Sequence, residues 1–223
     1  MLARVQQHRR GHGAGFCVNL DERLRLDGFV VLRNVEGRGA VEQIFATFGR
    51  VVHRTSVELR LDVRTYLCST DAVPFHTDHP NVDIVAWRCE RQDDVDGASL
   101  LVDAHAVLAK LDSTTRAALR DVDLPCPDLR MVTTTPAGSR PLLSNRNDVY
   151  FADWLEHPAP AWRAFRQGVE TEPATTVRLT AGEVLLVDNH RMLHGRRGLG
   201  RASLRRLERT WLIRSRPEVV ATP

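Results

Sequence analysis

The chain has 223 residues, 43 % of them hydrophobic and 26 % charged, with a net charge of +3. That balance suits a soluble globular protein with one full core and excludes a disordered or collagen-like chain. Lys110 is the only lysine; the basic residues are an arginine-rich composition and not a clustered patch, so no nucleic-acid partner is expected.

A single domain over residues 1–223 is expected, with residues 1–20 as a flexible lead-in. The segment MLARVQQHRRGHGAG is basic but has no apolar core, so a secretory leader is not expected. No apolar run approaches membrane-helix length, and no membrane partner is expected. The four cysteines (Cys17, Cys68, Cys89 and Cys126) form no C-x-x-C pair. They read as free thiols in a reducing, cytoplasmic setting, not as a zinc knuckle or a redox motif.

In chain order, Asp21 to Arg25 reads as a short helical start, followed by a compact apolar strand within Leu26 to Val35. Gly39 to Val52 carries Val41, Ile44, Phe45 and Phe48 at helical spacing, with Gly49 suited to a C-cap. Val82 to Glu90 is rich in β-branched residues and reads as a buried strand. A polar turn ending at Gly97 leads into a returning strand, Ala98 to Asp103. Ala104 to Asp121 reads as two helical pieces, with Asp112 or Ser113 capping the second. Leu124 to Pro141 reads as loops and short strands. Pro160 to Glu170 forms an amphipathic helix opened by proline. The sequence TAGE makes a tight turn before the strand VLLVDN, and Leu204 to Ser215 reads as a final strand. No βαβ alternation and no glycine-rich phosphate loop is present. The expected class is mainly β with flanking helices, a sandwich or jelly roll.

One stretch concentrates the chemistry: DAVPFHTDHPNVDIVAW, Asp71 to Trp87. If Phe75 to His79 is extended, His76 and Asp78 share a face, while Thr77 and His79 point the other way. An imidazole and a carboxylate on one face offer two ligands for a divalent metal, and a third must come from elsewhere. The segment VDNHRMLHGRRG supplies His190 and His194. As a helix it would bind zinc through both; as a strand running into a loop it presents His194 alone. In the last strand Arg205, Leu207, Arg209 and Trp211 share a face. Two guanidinium groups there either face solvent or await anions, because buried and unpaired they would be costly. On the bland readings His79 and His190 stand outside a ligand set, Asp188 and Asn189 shape a turn, and Trp87 and Trp211 are core. Arg209 would then make a structural ion pair.

The run H-T-D, then GASLLVD, then VLLVDN with LHGR, then R-x-x-x-R resembles the Fe(II)/2-oxoglutarate-dependent oxygenases of the taurine dioxygenase and clavaminate synthase-like group, over roughly Phe75 to Ile213. The resemblance implies a double-stranded β-helix (jelly roll) and the cofactors Fe(II), 2-oxoglutarate and O2. It implies His76, Asp78 and His194 as metal ligands, which are also the catalytic residues. Arg205, eleven residues after His194, would clamp the distal carboxylate of 2-oxoglutarate with help from Ser99. Arg209 would bind an acidic group of the substrate. The retained Asp78 favours oxygenation over halogenation. The implied activity is hydroxylation of a small carboxylate-bearing molecule, an amino acid or derivative, in specialised metabolism. Desaturation or cyclisation at the same iron, a zinc hydrolase and a non-catalytic metal-binding jelly roll remain as alternatives.

Overall fold

Strand β4 (Ile84–Arg91) shows how the molecule is layered. Ile84 and Ala86 join one buried cluster, while Val85, Trp87 and Cys89 join another. A strand covered on both faces reads in sequence as a continuous apolar run, as Val82 to Glu90 does. The structure is a computed structural model that describes residues 14–60, 62, 66–93, 95–127 and 136–215.

The remaining elements, in order, are helix α1 (Ala14–Asp27), β1 (Phe29–Leu32), α2 (Gly37–Phe48), β2 (Gly49–Glu58) and β3 (Val73–His76). After β4 come β5 (Ser99–Asp103), α3 (Ala104–Lys110), α4 (Ser113–Ala118), β6 (Asp123–Pro127), β7 (Pro136–Pro141) and α5 (Pro160–Thr171). The chain then returns through β8 (Thr175–Val177), β9 (Val184–Asp188), β10 (Met192–Arg196) and β11 (Arg206–Arg214). A five-stranded sheet runs β1-β9-β4-β11-β2 and a four-stranded sheet runs β3-β10-β5-β8, with β6 and β7 as a separate pair. Every paired strand is antiparallel. This is the double-stranded β-helix expected from the sequence, mainly β with helices packed outside.

The core has three parts. Val85, Trp87, Leu185 and Leu207 of the larger sheet meet Leu101, Val177 and Met192 of the smaller one. On the outside of the larger sheet, α1 and α2 place Leu24, Val41 and Phe45 against Ile84, Leu186 and Leu212. On the outside of the smaller sheet, Val107, Trp162 and Phe165 cover Val102 and Leu193. Period-two alternation therefore decides the site: in β10 Leu193 goes outward, which turns Met192 and His194 inward.

Most element expectations hold. Asp112 caps α4, its Oδ1 accepting from the Thr115 amide at 2.9 Å. Pro160 opens α5. The TAGE turn joins two strands, but of different sheets, since β8 pairs with β5 and β9 with β1 and β4. Three differences have physical reasons. Gly49 caps α2 as expected, but residues 49–52, grouped in sequence with that helix, begin β2, an edge strand with few fully buried positions and hence a weak apolar signal. A Cβ at Gly49 would strike the Ile213 carbonyl, so only glycine fits this helix-to-strand corner. His194 lies in a strand and not at the start of a loop: Asn189 to Arg191 form the turn, and Gly195 is needed because a Cβ there would sit 2.6 Å from the Val73 carbonyl oxygen. Helix α1 begins at Ala14, inside the stretch read as a lead-in, while residues 1–13 of that lead-in lie outside the described residues.

Cys68, Cys89 and Cys126 form no disulfide, and the Cys17 side chain lies outside the described residues. Among the described residues no helix is long and apolar enough to cross a membrane.

Candidate metal centre

His76 ends β3 and His194 lies in the middle of β10, and the two are directly paired in the sheet register. Their ring centroids are 4.3 Å apart. Beyond His76 the chain leaves the strand. Thr77 is tied to Phe151 by its amide, which donates to the Phe151 carbonyl at 2.7 Å, and by its hydroxyl, which accepts from the Phe151 amide at 3.1 Å. This lacing holds Thr77 away from the centre and turns Asp78 back toward it. The Nε2 atoms of His76 and of His194 each lie 3.7 Å from Asp78 Oδ1. All three residues are buried, and one ligand atom from each falls within 4.8 Å of the others.

The protonation states suit a cation. His76 Nδ1 lies 2.9 Å from the Pro74 carbonyl oxygen, so it carries the proton and leaves the Nε2 lone pair facing the cluster. Burial and the neighbouring His194 push the His76 pKa down to about 3, so the ring is neutral throughout the physiological range. Burial alone would raise the Asp78 carboxyl; the Arg209 guanidinium and the two histidines outweigh it and hold the group well below the usual carboxylate range. Both His194 ring nitrogens are buried without a protein hydrogen-bond partner, which is costly unless something else engages them. The neutral His76 imidazole, the ionised Asp78 carboxylate and the unpartnered His194 ring, converging in one buried cluster, fit the facial ligand set of a non-haem iron site with open positions.

Arg205 and Ser99 line one cavity with His76, His194, Trp87 and Leu101. Ser99 shares an inward face with Leu101, two residues on. Arg205 is buried, its Nε has no partner, and no carboxylate among the described residues pairs with it. Burial and the nearby Arg196 lower its pKa to about 10, which leaves it a cation at neutral pH. Gly97, at φ +74°, makes room for it, since a Cβ would lie 2.7 Å from Arg205 Cδ. Arg196 is different: its guanidinium donates to the carbonyls of Ser69 and Asp71, each at 3.0 Å.

Arg209, read from the sequence as a substrate ligand, lines the same cavity and is held against Asp78, its Nη1 lying 3.0 Å from Oδ1 and 3.4 Å from Oδ2. The bland reading of a structural ion pair describes this contact, and the carboxylate proves to be the one beside the histidines. His79 faces away, its Nδ1 accepting from the Asn81 amide at 3.1 Å. His190 pairs with Asp83 at 3.2 Å.

Three residues at the centre were not assigned from sequence. Trp211 Nε1 donates to Asp78 Oδ2 at 2.6 Å; its place two residues after Arg209 on the same strand face was the available signal. Asn189 is fully buried and braces the Asp78 loop from β9's end; nothing in its local sequence distinguishes it from a turn residue. Trp154, 48 % exposed, stacks near His76 with ring centroids 5.0 Å apart. Trp87 is core, as expected, but its ring also meets His194 edge-on at 4.9 Å.

The buried cluster thus lies between the two sheets of a double-stranded β-helix. The sequence from 121 to 211 matches the model of the taurine catabolism dioxygenase TauD, TfdA family. The recognition made from the motifs is thereby borne out: over that span the chain carries the TauD/TfdA signature, on the matching fold. No curated protein matches the sequence. Among solved structures, an asparagine oxygenase in complex with Fe(II), (2S,3S)-3-hydroxyasparagine and succinate is similar at TM-score 0.74 and 21 % identity, over 90 % of this chain and 80 % of that one. The non-heme iron oxygenase OrfP, in a variant complexed with (3S)-hydroxy-L-arginine, gives TM-score 0.71 and 18 % identity, over 92 % and 81 %. AAD-2 in complex with Mn(II) and N-oxalylglycine gives TM-score 0.71 and 14 % identity, over 95 % and 92 %.

Proposed function

We propose that this chain is a non-haem Fe(II)/2-oxoglutarate-dependent oxygenase that hydroxylates a small, amino-acid-like substrate. One observation carries the reading: the buried His76, Asp78 and His194 cluster shares its cavity with Arg205, a buried cation with which no carboxylate among the described residues pairs. A hydrolytic metal site has no use for such a cation, whereas a dicarboxylate co-substrate needs one. The amino-acid character is supported by the products held in the similar structures, hydroxyasparagine and hydroxyarginine.

In this reading His76 Nε2, His194 and Asp78 Oδ1 hold the iron. Arg205 and Ser99 receive the distal carboxylate of 2-oxoglutarate, where a charged bidentate donor discriminates a diacid from a monoacid. With 2-oxoglutarate and O2 the iron supplies the oxidising chemistry, one oxygen atom going to the substrate and the other to succinate, with release of CO2. The protein's part is to keep the His76 imidazole neutral, to hold Asp78 ionised and to line the cavity with Val57, Trp87 and Leu185, which excludes water.

The test is an anaerobic titration with Fe(II) and then 2-oxoglutarate, following the weak visible charge-transfer band of the chelate. A band in wild type, absent in Asp78→Ala and needing about 100-fold more 2-oxoglutarate in Arg205→Ala, supports the reading. No band in wild type overturns it.

A further inference from the structure

The contact between Arg209 and Asp78 assigns Arg209 a different task from the one its sequence position suggested. Arg209 and Trp211 lie two residues apart in β11 and point inward from the larger sheet. Each donates to the Asp78 carboxylate, which comes from the loop after β3 in the smaller sheet. Arg209 Nη1 engages Oδ1 at 3.0 Å, and Trp211 Nε1 engages Oδ2 at 2.6 Å. The Arg209 guanidinium also lies over the Trp211 ring, 5.1 Å from its centroid, and His53 packs beside that ring at 5.0 Å. The result is a carboxylate with one oxygen, Oδ2, turned to the indole, and the other, Oδ1, equidistant from the two histidine Nε2 atoms.

We infer that Arg209 and Trp211 are positioning residues: together they fix Asp78 as a ligand through Oδ1 alone. The inference rests on the iron-site reading above. The physical argument is one of countercharge. Both side chains of the Arg209–Asp78 pair are more than nine-tenths buried. Drawing Arg209 away to a substrate acid would leave a buried carboxylate without its partner, a strongly unfavourable change. The indole N–H adds direction, because a hydrogen bond on Oδ2 withdraws that oxygen from chelation. Both groups act through Asp78, as outer partners of metal ligands do.

Trp211→Phe removes one N–H and keeps an aromatic ring. Arg209→Met removes the guanidinium, and Arg209→Lys keeps a charge without the planar fork. Each is titrated anaerobically with Fe(II), and with Mn(II) followed by its electron paramagnetic resonance signal, alongside thermal melts of the metal-free protein. The metal dissociation constant is expected to rise about 10–100-fold in Trp211→Phe and in Arg209→Met, with partial recovery in Arg209→Lys. The Mn(II) spectrum is expected to change in Trp211→Phe, a shift that a merely structural role would not produce. On metal-saturated protein the 2-oxoglutarate affinity is expected to stay near wild type. If wild type binds metal and these variants bind it as tightly, with unchanged spectra, the clamp is overturned while the iron-site reading stands. If wild type takes up no metal, both fall. Should Arg209→Met fail to fold, Trp211→Phe decides alone.

Discussion

Asn189 engages its whole side chain on the loop that carries Asp78. Its Oδ1 accepts from the Asp78 amide at 2.7 Å, and its Nδ2 donates to the carbonyls of Val82 and His79 at 2.9 and 3.2 Å. Asn189→Ala would strand the Asp78 amide and the Val82 carbonyl in the interior, while the His79 carbonyl still accepts from the Val82 amide, and a loss of about 2–4 kcal/mol in urea melts is expected from such orphaned groups. A loss under half a kcal/mol would show that water takes over the loop. His190, next along, reports on pH. Burial opposes its charge, but the hydrogen bond it donates to Asp83 and the charges of Asp148, Asp83 and Asp188 outweigh that and raise its pKa. Its contribution to stability is therefore fully present below the unfolded histidine value, about 6.5, and is lost as pH rises through the higher folded value. The melting-temperature gap between wild type and His190→Gln is expected to be wide at low pH and to narrow as His190 loses its proton. A gap that is flat with pH would contradict this.

At the scale of elements, the pairing of β10 with β3 sets the spacing of the two histidines. Gly195 lets these strands close, and Gly195→Ala would force its Cβ against the Val73 carbonyl. A cost of about 1–3 kcal/mol is expected from such overpacking, together with weaker Fe(II) binding, because His194 would move relative to His76. Unchanged metal affinity at reduced stability would show that the two rings adjust independently. Much of this was legible in the sequence. The alternation that places His76 opposite Thr77 and His194 opposite Leu193 is local, and local periodicity survives into the fold. Strand β2 was not legible, because an edge strand with His53, Arg54, Thr55 and Ser56 in succession carries little apolar alternation. The partners of Asp78 were not legible either. Arg209 and Trp211 stand 131 and 133 residues away in sequence, and only the folded sandwich says that their donors meet a carboxylate of the chain itself.

Across the whole molecule, a ligand held only by the native state adds stability in proportion to the logarithm of its concentration over its dissociation constant, about 2.7 kcal/mol at a hundredfold excess. Metal loading of wild type is expected to raise the melting temperature accordingly, and of Asp78→Ala not at all; equal shifts in the two would place the binding elsewhere. The direction of the contacts says where that added stability would be felt. Both histidines belong to the smaller sheet, while the carboxylate between them is gripped by β11 of the larger one. A cation seated among them would thus link the histidines of the smaller sheet to a carboxylate already hydrogen-bonded to the larger one, and so tie the two halves of the sandwich together. Slow amide exchange in β10 and in β11 should then respond as one unit on loading, so that the sheets open together or not at all.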